Sequence, residues 1–103
     1  MRRTAALNRM RAQLTGLHLQ LTHAVLEVNT LRDAVLPQLD SAQQQTRDAY
    51  LSGRYSYFEL VSAQTEYLDA ELALIEAATA THLLRAEIER LSGAALNPEE
   101  ISQ

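Results

Sequence analysis

The sequence predicts an all-α fold, a long antiparallel helical hairpin of coiled-coil type, and three observations carry that reading. Three Gly and two Pro in 103 residues fall well short of the roughly 12% that average usage supplies, so a β-fold would lack its turns. Apolar residues reach 47%, mostly Leu and Ala, while aromatics are 5% with no Trp and one Phe. That composition excludes disorder and is poor in the large side chains of a compact core. The apolar positions also recur at helical spacing along nearly the whole chain.

The first helix is predicted over residues 5–51. Leu7, Met10, Leu14, Leu17, Leu21, Ala24, Val28, Leu31 and Val35 alternate steps of three and four, a heptad seam. Past Pro37 the same phase continues through Gln38, Ala42, Gln45 and Ala49. Proline removes a donor and clashes with the preceding turn; because the phase continues across it, a kink at Pro37 is expected rather than a break.

A tight turn is predicted at Ser52–Ser56. Gly53 stands where a helix closes its last turn at positive φ. Ser56 with Glu59 three residues on forms a capping box, and Tyr55 with Leu60 forms a hydrophobic staple. Arg54, Tyr55, Tyr57 and Phe58 cluster here, where a purely structural turn would prefer small polar residues, and exposed aromatics with an Arg are typical interface anchors.

The second helix is predicted over 57–92 with Leu60, Ala63, Tyr67, Ala70, Leu74, Ala77, Thr81, Leu84, Ile88 and Leu91 as its seam, closed by Gly93. Asn97-Pro98-Glu99-Glu100 then reads as a new cap and first turn, giving a hairpin domain over 1–96 and a tail over 97–103 with a short helical start. In an antiparallel hairpin facing residues have a constant sum of numbers. Leu17 with Leu91 and Ala24 with Leu84 share the sum of Leu31 with Ala77, and half of that sum falls in the turn.

The second helix carries a further heptad line: Phe58, Val61, Thr65, Leu68, Leu72, Ile75, Thr79, His82 and Ala86. At 100° per residue it lies about 150° around the helix from the first. A lone hairpin needs one stripe. Two stripes call for a second neighbour, either in a sheet-like or closed array of helices or in a four-helix bundle of two hairpins.

Charge and cysteine content bound the function classes. A net charge of −4 excludes a nucleic-acid binder by overall electrostatics, although Arg2, Arg3, Arg9 and Arg11 open the chain without an acid. No cysteine is present. No apolar run approaches the roughly 20 residues of a membrane span, and no secretory signal is read in these residues. His18 and His23 are five apart, about 140° around a helix, and His82 faces Leu26 in the hairpin register, so no metal site is expected. Glu59, Glu66, Asp69, Glu71 and Glu76 have no accompanying nucleophile, base or Gly-rich loop, so they read as a solvated flank. No enzyme activity and no cofactor are expected.

The segment AYLSGRYSYFELVSAQTEYLDAELALIEA, Ala49 to Ala77, resembles the second helical hairpin of TolC-like outer-membrane efflux ducts. The match is carried by Tyr50, Gly53, Ser56, Glu59, Ala63 and Gln64, and LRDAVLP upstream with HLLRAEIERLSG downstream leans it toward the cobalt-zinc-cadmium efflux branch. It covers roughly residues 20–95. The resemblance implies a periplasmic and outer-membrane location and a homotrimeric duct whose twelve-helix barrel serves a tripartite export pump. It implies that the turn, Ser52, Gly53, Arg54 and Tyr55, is the tip that meets a periplasmic adaptor protein, and that Glu59 faces the channel. The family's second acid three residues on is Ser62 here. A complete duct subunit has two such hairpins, barrel strands and a signal peptide. A piece of a duct subunit is therefore expected, with membrane contact only through parts outside it. The alternative is a structural coiled-coil module that self-associates into a bundle without a transport role.

Overall fold

The structure, a computed structural model, describes residues 2–96; the expected helical start at Asn97–Glu100 lies outside the described residues. Helix α1 spans Arg2–Thr30, a π-helical turn Leu31–Val35 follows, and α2 spans Leu36–Leu51. These three form one rod, and α3, Tyr57–Leu96, packs back along all of it. The molecule measures 73 × 22 × 19 Å with a radius of gyration of 22.0 Å, against about 13 Å for a compact domain of this length. It is a helical hairpin, with no strand among the described residues.

The turn forms as its residues dictate. Gly53 has φ 79°. Its N–H donates to the Tyr50 carbonyl at 3.0 Å, and the Arg54 N–H donates to the Ala49 carbonyl at 2.8 Å. These two bonds are the Schellman pair, which satisfies carbonyls that a helix end leaves open. Across the turn the Glu59 N–H donates to Ser56 Oγ at 3.2 Å, and the Ser56 N–H donates to the Glu59 carboxylate at 3.3 Å. The capping box is thus closed in both directions.

All ten positions of the α3 seam, from Leu60 to Leu91, are buried or half-buried. They meet Leu14, Leu17, Leu21, Ala24, Val28, Leu31 and Val35 of the first rod, which are likewise at least half-buried. Most of the buried side chains are small: Ala24, Ala49, Ala70 and Ala77, with Thr81, whose hydroxyl donates to the Ala77 carbonyl at 2.9 Å. Small residues let the two backbones approach. Leu60, 8% exposed, is the one large side chain in that set.

The structure corrects three expectations. The first concerns Pro37. A π-turn precedes it, in which the Leu36 N–H donates to the Leu31 carbonyl five residues back. Widening the turn moves the proline ring away from the carbonyl it would strike in an α-helix. A π-turn also adds one residue, so each later side chain takes the direction its predecessor would have had. Gln38, Ala42 and Gln45 are consequently exposed and Leu39, Gln43 and Thr46 occupy the seam instead, while Ala49, the last of the expected positions, is buried as expected.

The second correction is at Gly93. It has no positive φ, and α3 continues through it to Leu96, because Ala94-Ala95-Leu96 are strong helix formers. The third is minor: α1 begins at Arg2, not at residue 5.

Candidate functional site

The hairpin offers two kinds of surface outside its own seam, a tip and two outer lines. At the tip the caps described above fix the backbone and leave the side chains facing outward. Ser52, Gly53, Arg54 and Tyr55 are all exposed. Arg54 is held by its own neighbour, its Nε donating to Ser52 Oγ at 3.1 Å, while Ser52 Oγ donates to the Ala49 carbonyl at 3.1 Å. Arg54 and Tyr55 border an open groove of about 470 Å³ with Thr46 and Asp48 of α2.

Aromatic rings gather around this point. Tyr50 and Tyr57 face each other across the turn, ring centroids 6.0 Å apart and tilted by 58°, within the range where aromatic pairs attract. Tyr57 is exposed, Phe58 is 78% exposed and Leu51 71%. The sequence marked Tyr57 and Phe58 as tip residues. Leu51 carried no such mark and Tyr50 entered only through the resemblance; both follow the buried Ala49 and are exposed.

Glu59 is exposed on a polar face of α3, and its carboxylate is engaged by the Ser56 N–H. The three histidines are exposed. His82 lies beside Arg85 in a shallow groove with Val28 and Arg32.

The outer line of α3 is exposed at every position, including Leu68, Leu72 and Ile75, the last at 61%. A matching line runs along α1 at the equivalent heptad positions: Ala5, Asn8, Ala12, Thr15, Leu19, Thr22 and Leu26, all exposed. Neither line contains a charged residue, although 21% of the chain is charged. The α1 line escaped sequence reading because its members are small or polar; the signal lay in the missing charges rather than in hydrophobicity.

Among the described residues two ion pairs each tie near neighbours along the chain. Arg32 pairs with Asp33 at 2.9 Å, and Arg90 pairs with Glu87 through both of its hydrogen-bonding nitrogens. The guanidinium hydrogen bond holds each carboxyl below its ordinary range and raises the arginine in turn. Neither pair touches the tip or an outer line. Comparison with known proteins returns no match from family models, curated proteins or solved structures.

Proposed function

We propose that this chain forms part of the periplasmic α-helical wall of an outer-membrane export duct, carrying no chemistry of its own. The observation that carries the reading is the pair of apolar lines on α3, one buried in the hairpin and the other exposed along its whole length. Lines about 150° apart suit a shallowly curved wall, in which each helix has a neighbour on both flanks. The resemblance of Ala49–Ala77 to the second hairpin of TolC-like ducts supports the same arrangement. The rigidly capped tip with its exposed Arg54 and aromatic rings supports a docking role toward a periplasmic adaptor.

The test places Arg54→Ala with Tyr55→Ser in a duct subunit carrying this hairpin and measures export together with subunit level in the outer membrane. Lost export at normal subunit level is the expected result. Normal export would overturn the adaptor contact and favour the self-associating coiled-coil module, which has no use for the tip.

A further inference from the structure

Two stretches of this chain complement each other in charge, yet the hairpin keeps them apart. Residues 57–80 of α3 carry Glu59, Glu66, Asp69, Glu71 and Glu76 and no basic residue. Residues 2–26 of α1 carry Arg2, Arg3, Arg9 and Arg11 and no acidic residue. Within one molecule the α1 stretch runs beside the C-terminal half of α3, so acidic and basic stretches lie at opposite ends of the rod. Each stretch displays an uncharged outer line, and each is about 36 Å long at 1.5 Å per residue.

The α3 line is unsuited to pairing with itself. Its flanking residues Asp69, Glu71 and Glu76 would face acids of the second copy, and like charges across a helix interface oppose association. Its partner must be a helix with an uncharged line and basic flanks, which α1 supplies.

We propose that residues 2–26 of one copy pack antiparallel on residues 57–80 of a second copy, displaced by about four heptads, roughly 42 Å, from the register used inside the hairpin. Heptad phase admits only whole-heptad shifts, and this one aligns both size and charge. The small Ala5, Asn8 and Ala12 fall level with the large Ile75, Leu72 and Leu68. On the flanks Arg2 falls level with Glu76, Arg9 with Asp69 and Arg11 with Glu71. The unshifted register places none of these charges together. Because each copy uses two different surfaces, the contact does not close on itself and builds open, concentration-dependent chains. The inference does not depend on the export reading.

Sedimentation of the whole chain tests it. Arg9→Glu with Arg11→Glu, and separately Asp69→Lys with Glu71→Lys, should each weaken self-association roughly tenfold, and mixing the two variants should restore it. Arg9, Arg11 and Asp69 are exposed and Glu71 is half-buried, and circular dichroism checks that both variants keep their helices. Since the chain has no cysteine, Ala12→Cys mixed with Leu68→Cys should form a covalent pair on oxidation. Unchanged association in the first variant, stronger association of the second with itself, or no recovery on mixing would overturn the proposal. So would preferential cross-linking of Leu19→Cys to Leu72→Cys, which marks a parallel register.

Discussion

The hairpin has two halves of equal geometry and unequal chemistry, divided by the π-turn at Leu31–Val35. In the base half, Leu14, Leu17, Leu21 and Val28 lie along Leu84, Ile88 and Leu91, so apolar burial zips the helices. In the tip half the first rod contributes Leu39, Gln43, Thr46 and Ala49, and one buried Gln43 oxygen has no hydrogen-bond partner. An acceptor left unpaired in this way weakens the tip seam. That half is held instead by the Schellman bonds, the capping box and Leu60. A tip fastened by backbone caps rather than by a core can display its aromatics to a partner without consuming them in folding.

The sharpest way to break this comparison is at Leu60. It is the one large side chain in the buried set and serves the half with the weaker seam. Leu60→Ala should lower stability by about 2–3 kcal/mol, measured by urea denaturation. Leu17→Ala in the base half should cost less, because Leu17 is only half-buried and its neighbours share the load. Equal losses at the two sites would show that the tip half does not lean on a single contact.

Next in size is the turn. Gly53→Ala should cost about 1 kcal/mol, since alanine resists positive φ. A Cβ there would meet nothing within 4 Å, so the loss would be purely conformational. Ser56→Ala, which removes the oxygen bonded by the Glu59 N–H, should cost about as much. Thermal stability unchanged in both variants would mean that the caps do not hold the tip.

These two regions also differ in how far the sequence revealed them. The turn was fully legible because its signals are local: Gly53, Ser56 and Glu59 each specify a hydrogen bond within a few residues. The α3 seam was legible because it runs unbroken from Leu60 to Leu91. The tip half of the first rod was misread, since the phase through Gln38, Ala42 and Gln45 assumed an unbroken α-helix. Pro37 signalled a disturbance, but periodicity cannot distinguish a kink from an inserted residue when the alternatives, Ala42 and Gln43, are equally weak seam formers. Gly93 misled for a similar reason, as its stop signal competes with three good helix formers after it. The outer line of α3 was plain as a heptad series, whereas its α1 counterpart was visible only as missing charge.

The π-turn itself can be tested by deletion. Removing Ala34, exposed in the turn, together with Pro37→Ala takes out both the inserted residue and the ring that would clash in a regular α-helix, and lets a continuous α-helix carry Leu39, Gln43 and Thr46 in the seam. Stability should change by less than about 1 kcal/mol, with helicity kept. A large loss would show that the insertion is not what sets the tip-half phase.

The smallest expected effect concerns acid, and it too separates the halves. Glu87 pairs with Arg90 on α3 opposite α1, whereas neither described ion pair lies in α2 or in the tip half of α3. The hydrogen bond from Arg90 lowers the folded pKa of Glu87 below its ordinary value of 4.5. The unfolded chain has no such pair, so the folded state binds protons less readily. The pair's contribution is therefore complete above about pH 4.5 and lost as pH falls through the lowered folded value. The pair is exposed, so the effect is small. Glu87→Gln should flatten the acid limb of the urea midpoint against pH while leaving the neutral limb parallel to the parent. An acid limb of unchanged slope in Glu87→Gln would show that the Arg90 contact does not persist in solution.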